Sequence, residues 1–405
     1  MRPLVKRQYI LPFVLITSLF FLWGAAHSIL DVLNKHFQLV IPGMNHAHSS
    51  MVQVMFYLGY FVMAIPAGII IDHRGYRTGV IVGLLLYGFG ALLFWPGAQI
   101  MSFEFFLMSL FIIACGLVFL ETAANPYVTE LGDVETAASR LNLAQSLNGL
   151  GCICGPLFGG LLLFSDGGNE RIALPYVVMG IVVLAVALLF TRVKLPEIAH
   201  QDEPETKATA EKHRISSLFR NKGFLFGLFA LFSYEVSEIS INSFFINYVA
   251  DGGWMNARDA SIALSFGGLS LFMLGRVLGS FIMQHVASER VLRVCAIGTF
   301  ITTLAVVLNM GVLSLGALVL IYVFESIMFP TIFALSLKDL GPLTKRASSL
   351  LMMTPIGGAV GPLMMGLVAD ASTMSVAFIV PLIGFANVAA YAFSDKKFEK
   401  YLEVK

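Results

Sequence analysis

The chain has 405 residues, 57% of them hydrophobic and only 13% charged, with a formal net charge of +1. Soluble domains carry roughly 45–50% apolar and about 25% charged residues, so the composition describes an integral membrane protein. The near-zero net charge leaves no basic excess to suggest a nucleic-acid partner.

A span needs about 20 predominantly apolar residues. Twelve such runs follow one another, at about 9–33, 50–71, 78–97, 102–126, 141–164, 172–191, 223–249, 260–284, 291–310, 314–337, 347–369 and 375–394. The first is too long for a cleavable signal peptide and ends in polar residues rather than a small-residue cleavage site. The links are short except between Arg192 and Lys222, where Gln201-Asp202-Glu203-Pro204-Glu205-Thr206-Lys207 is too polar to bury a core. The expected organisation is therefore an all-α integral membrane fold of two six-helix halves, residues 1–194 and 222–405, joined by a linker at 195–221.

Orientation follows from the basic residues. Twenty-two Lys and Arg fall at the N-terminus, the even-numbered loops, the linker and the tail, against three (Lys35, Arg171, Arg258) in the odd-numbered loops. Both termini and the linker are expected in the cytoplasm, and the chain in the bacterial inner membrane as a multi-pass protein.

The halves repeat each other. Glu121 stands five residues before Pro126, and Glu325 five before Pro330, an offset of 204. Arg140 precedes Gly155-Pro156 by fifteen residues and Arg346 precedes Gly361-Pro362 by fifteen; both pairs continue as Gly-Pro-Leu-x-x-Gly. Parallel six-span repeats are a transporter architecture, with substrate held near mid-membrane.

Several polar residues interrupt the apolar runs. An ionisable group in lipid is costly to keep and is a functional candidate by default. A carboxyl closed off from water can hold a proton and release it when water arrives, the minimum equipment for proton coupling. Glu121 shares a helical face with Asn125 at i+4, and Pro126 deprives the Thr122 carbonyl of its helical partner. Asp31 ends the first run, one turn after Ser28; an outer-interface position is the alternative reading. Asn142, Gln145 and Asn148 recur every three residues along one stripe. Their amides offer both donors and acceptors to a polar cargo, although helix–helix hydrogen bonding is equally open. In the seventh run Glu235, Glu238 and Asn242 share a face. Arg276, inside the eighth, cannot shed its charge and is expected to answer Glu235, Glu238 or Glu325 in a structural pair. Trp23, Tyr57, Tyr60 and Phe329 are the aromatic candidates to flank the apolar face of a bound cargo.

The four cysteines (Cys115, Cys152, Cys154, Cys295) lie in apolar runs without zinc-site spacing and read as buried thiols. No two of the eight histidines stand at metal spacing within a span. No metal or cofactor is expected, and a membrane enzyme is disfavoured.

The stretch Gly68-Ile69-Ile70-Ile71-Asp72-His73-Arg74-Gly75-Tyr76-Arg77 resembles the cytoplasmic loop motif of the major facilitator superfamily. More narrowly, Phe20-Phe21-Leu22-Trp23, Ala64-Ile65-Pro66-Ala67-Gly68, Glu121-Thr122-Ala123-Ala124-Asn125-Pro126, Arg140-Leu141-Asn142-Leu143-Ala144-Gln145 and Pro330-Thr331-Ile332-Phe333 resemble the fucose–galactose–glucose:proton symporter family over almost the whole chain. The resemblance implies a proton-coupled sugar importer working by alternating access. It implies proton-coupling roles for Asp31 and Glu121, and sugar contacts at Ser28, Asn125, Asn142, Gln145, Asn148, Glu238, Asn242 and Phe329. Asp72, Arg74 and Arg77, with Arg276 and Glu325, would act in gating or structure. Tyr234 and Glu238 look like the glucose/galactose branch. Ser28 and Phe329 stand where the fucose branch has asparagine and tyrosine, which disfavours L-fucose and leaves another hexose or a modified sugar. The expected partners are a sugar, a proton and the lipid bilayer, the chain acting as a monomer. Sodium coupling, or export of a metabolite or drug on the same fold, are the rival readings; the polar stripe argues against the exporter.

Overall fold

A computed structural model describes the chain apart from residues 1–4, 6, 132–136, 165–171, 193–214, 284, 339, 341–342, 344–346, 348–349 and 403–405. Most of the expected linker, and Arg346 of the repeat, therefore lie outside the described residues. Lipid cannot satisfy open backbone groups, so a spanning segment must close its hydrogen bonds within itself. The described residues accordingly form helices without strands. In chain order these are α1 (Ile10–Val40), α2 (His46–Ser49), α3 (Met51–Leu92), α4 (Phe94–Ile100), α5 (Phe103–Glu130), α6 (Ala137–Leu163), α7 (Ala173–Arg192), α8 (Lys222–Asp251), α9 (Ala257–Ala263), α10 (Ser270–Ile282), α11 (Ser288–Val307), α12 (Val312–Glu325), α13 (Met328–Leu337), α14 (Gly357–Ala371), α15 (Met374–Ala377) and α16 (Ile379–Leu402).

Eleven helical stretches among the described residues are long and apolar enough to cross a membrane. The eleventh expected run, 347–369, is shorter as a helix: a 3-10 turn at Thr354–Ile356 precedes α14. Pro355 and the Gly357-Gly358 pair explain the break, since proline lacks the N–H an α-turn needs and glycine gains least from helix. Conversely, an unbroken α3 of 42 residues would reach about 63 Å, twice the hydrocarbon thickness. Gly75 interrupts it at φ 79°, ψ 164°, a left-handed conformation that glycine adopts without penalty. The loop motif thus separates two spans, His46–Ile71 and His73–Ile100.

The chain forms two compact units. The first takes Met1–Met44, Ser49–Ala199 and Gly253–Phe266; the second takes Asn45–His48, His200–Gly252 and Gly267–Lys405. Within each, the repeated Gly-Pro-Leu motif has the same packing duty. A methyl group added at Gly155 would lie 2.9 Å from the Ala25 carbonyl oxygen and 3.1 Å from the Ile29 nitrogen of α1, and closer still to Ser28 Oγ. At Gly361 it would lie 2.6 Å from Ser240 Oγ on α8 and closer to the Val236 carbonyl. Membrane helices without a hydrophobic drive between them associate through such small-residue approaches. In both units the motif brings a late helix against the unit's leading one.

Gly155→Ala should therefore cost about 1–3 kcal/mol through overpacking against backbone, seen as a lowered melting temperature of the purified protein. Gly316→Ala, where an added methyl meets nothing within 4 Å, should not lower it.

Candidate functional site

In the first unit, the polar positions of α1, α3 and α5 draw together around Glu121. The side chains of Leu19, Phe20, Trp23, Leu120 and Ala124 line a small recess with it. Trp23 Nε1 donates to Tyr60 Oη at 2.6 Å, and Tyr60 is electrostatically coupled to Glu121. One turn along α1, His27 Nε2 and Tyr57 Oη are hydrogen-bonded at 2.6 Å. Asn125, one turn beyond Glu121, has a buried Oδ1 without a hydrogen-bond partner. No ion pair reaches Glu121 among the described residues. The carboxyl of Glu121 and the ring of Trp23 thus share one recess, with the unmet amide oxygen of Asn125 one helical turn further along α5.

Asp31 is buried at 6% exposure and within electrostatic reach of Tyr176; it does not face open solvent. Ser28 Oγ donates to the Gly24 carbonyl at 2.9 Å, so its hydroxyl proton is already engaged on its own helix. The stripe on α6 divides. Asn148 Nδ2 donates to the Phe20 carbonyl of α1 at 3.2 Å and its Oδ1 faces Cys152 Sγ at 3.8 Å, whereas Gln145 is half-buried. The side chains of Asn142 and Asp72 lie outside the described residues.

Two arginines of this unit complete helix ends. The last carbonyls of a helix have no partner within it, and a cation there also meets the negative end of the helix dipole. Arg77 Nη2 donates to the Thr191 carbonyl at the end of α7 at 2.6 Å, and buried Arg140 donates through Nε to the Val128 carbonyl near the end of α5 at 3.0 Å. Arg74 is exposed and uses its own carbonyl to accept Thr78 Oγ1 at 2.8 Å.

In the second unit, Tyr234, Glu235, Glu238 and Asn242 line α8. Glu238 lies within hydrogen-bond reach of the Tyr234 hydroxyl and within the field of Arg276. The Tyr234 hydroxyl also lies 3.2 Å from the Glu325 carbonyl oxygen, to which it donates, and its ring sits 6.3 Å from that of Phe329. Asn242 Oδ1 is buried without a partner. Arg276 Nε donates to the Ser326 carbonyl at 3.1 Å, with the guanidinium 4.7 Å from the Phe272 ring. Pro330, four residues after Ser326, is why that carbonyl needs an outside donor.

One cluster was not anticipated. Asp370 accepts from the backbone N–H groups of His46 and Ala47, each at 2.9 Å, and meets His46 Nδ1 at 2.9 Å, while His46 Nε2 faces Asp251 at 3.3 Å. These contacts are why Asn45–His48 belongs with the second unit. The partners are 205 and 324 residues apart in sequence, so no local spacing could have announced them.

Membrane-length helices whose carboxyls and amides turn into their own bundles define a multi-pass membrane protein built to handle polar cargo. The chain belongs to the Major Facilitator Superfamily, whose profile matches residues 9–354. It is 36% identical to the L-fucose-proton symporter of Escherichia coli (strain K12), over 96% of this chain and 93% of that protein. It is 33% identical to the glucose/galactose transporter of Brucella abortus biovar 1 (strain 9-941), over 97% and 96%. Among solved structures, the E. coli symporter FucP in its outward conformation superposes with a TM-score of 0.69 at 35% identity, covering 95% of this chain and 99% of that one. A D-xylose-proton symporter superposes at 0.76 with 12% identity, covering 94% and 96%, which speaks to the fold alone.

Asp370→Ala removes the acceptor for two backbone N–H groups at the start of α2 and should destabilise by about 0.5–2 kcal/mol, as loss of a helix N-cap does. Thermal unfolding of the purified variant reads it directly.

Proposed function

We propose that this chain imports a sugar together with a proton by alternating access. The observation that carries the reading is the recess of Glu121, where a carboxyl without an ion-pair partner stands one turn from an unmet amide and beside the Trp23–Tyr60 pair. Aromatic faces suit the C–H face of a sugar ring, and an amide suits its hydroxyls. Relatives named as a fucose–proton symporter and a glucose/galactose transporter, matched along nearly their whole length, support the same chemistry. Glu121 and Asp31 carry the proton. The sugar contacts proposed are Asn125, Asn142 and Gln145 in the N-terminal half and Glu238, Asn242 and Phe329 in the C-terminal half. Asn148 contributes with whichever amide hydrogen its bond to α1 leaves.

The sugar is a hexose or hexose derivative other than L-fucose. Ser28 and Phe329 offer fewer hydrogen bonds than the residues of the fucose branch, and Ser28 already donates to Gly24. The 22-to-3 split of basic residues puts both termini and the 195–221 linker in the cytoplasm, between six-helix halves 1–194 and 222–405. Asp72, Arg74 and Arg77 then form a cytoplasmic latch. Arg276 holds the break between α12 and α13. The protein acts as a monomer without a cofactor.

Glu121→Gln should abolish accumulation of labelled sugar driven by a pH gradient in proteoliposomes while leaving equilibrium exchange of that sugar measurable. Accumulation that survives the substitution removes Glu121 from the coupling step.

A further inference from the structure

Glu325 is the counterpart of Glu121 in the repeat, yet its surroundings differ. It ends α12 with no exposed surface, and both carboxyl oxygens are buried without a hydrogen-bond partner. A structural glutamate would be held by the donors nearby, and those donors act elsewhere. Tyr234 donates to the carbonyl of Glu325 and lies within hydrogen-bond reach of Glu238, while Arg276 Nε serves the Ser326 carbonyl that Pro330 leaves open. Tyr234 and Arg276 are thus positioning residues for the backbone break, and the carboxyl they flank stays unengaged. An ionised carboxylate with neither water nor a partner carries a desolvation penalty of several kcal/mol, so this geometry accommodates the neutral acid. Glu238 on α8 interacts electrostatically with Glu325; two carboxylates at close range resist being ionised together. The other charged or titratable groups of this cluster are Glu235 and Tyr234 on α8 and Arg276 on α10.

A cleft also lies further along the same segment. It has a volume of about 500 Å³ and is lined by Met283, Ser288, Pro330, Thr331, Ala334 and Lys338, among others. Pro330 and Thr331 lie five and six residues beyond Glu325, past the Ser326–Ile327 interruption between α12 and α13. Reopening that interruption would put water from the cleft next to the carboxyl.

We propose that Glu325, seated in the C-terminal half, carries a second proton beside the one handled by Asp31 and Glu121, so that one sugar crosses with two protons rather than one. The proton is bound as the neutral acid while the α12–α13 break is closed and passes to water entering from the cleft when it opens. No other bond is made or broken. This rests on the sugar–proton import proposed above, and the test separates the two.

Infrared difference spectroscopy on the purified protein follows carboxylic-acid C=O bands during a pH titration without any sugar. Glu325→Gln should delete one titrating band present in the parent. A spectrum unchanged by the substitution overturns the proposal, whatever the transport result. In proteoliposomes with labelled D-galactose, and D-glucose beside it, the proton-to-sugar ratio from reversal potentials should fall from two to one in Glu325→Gln. An unchanged ratio overturns the second-carrier role. If neither sugar responds to a pH gradient in the parent, sugar–proton import fails while the infrared result still decides whether Glu325 carries a proton. If Glu325→Gln does not assemble, Glu325→Asp should keep a titrating band but shift its position; an unshifted spectrum overturns the proposal.

Discussion

A charge inside lipid has no solvent, and the polar chemistry of this chain is arranged around that constraint. Arg77, Arg140 and Arg276 each donate to a backbone carbonyl, at the end of α7, near the end of α5 and at the α12–α13 break, where Pro330 has no N–H to offer. Basic groups thereby complete the backbone at helix ends and breaks. Among the described residues, no ion pair reaches the carboxyls of Glu121 and Glu325. In a bundle surrounded by hydrocarbon, such groups persist where changing their protonation does work.

The repeat gives this division a common framework. Gly155 and Gly361 let α6 and α14 approach α1 and α8 so closely that a methyl group would collide with backbone or with a serine hydroxyl. Those contacts fix the leading helix of each unit, and the leading helices carry much of the candidate site: Trp23, His27, Ser28 and Asp31 on α1, Tyr234, Glu238 and Asn242 on α8. The glycine motif therefore acts on function indirectly, by setting the register in which polar side chains meet.

Much of this was legible in the sequence because lipid imposes simple rules. Runs of about twenty apolar residues announce spans, and the i, i+4 spacing of Glu121 and Asn125 announces a shared face. The run 347–369 was legible as apolar but not as broken, since hydropathy does not register Pro355 followed by Gly357-Gly358. Arg276 was expected to answer a carboxylate. It feels Glu238, but its Nε serves the Ser326 carbonyl, and the clue was Pro330, which treats Ser326 as Pro126 treats Thr122. The cluster of His46, Asp251 and Asp370 was illegible, because long-range juxtaposition leaves no mark in local spacing. Periodicity could not separate Gln145 from Asn148 either; the bond from Asn148 to the Phe20 carbonyl is a tertiary fact.

The account turns on a proton, and not another ion, moving with a sugar. Uptake of labelled D-glucose and D-galactose into proteoliposomes, with a pH gradient and a sodium gradient imposed separately, tests it most directly. The account predicts accumulation above equilibrium with the pH gradient alone and none with sodium alone. Accumulation driven by sodium at uniform pH would contradict it.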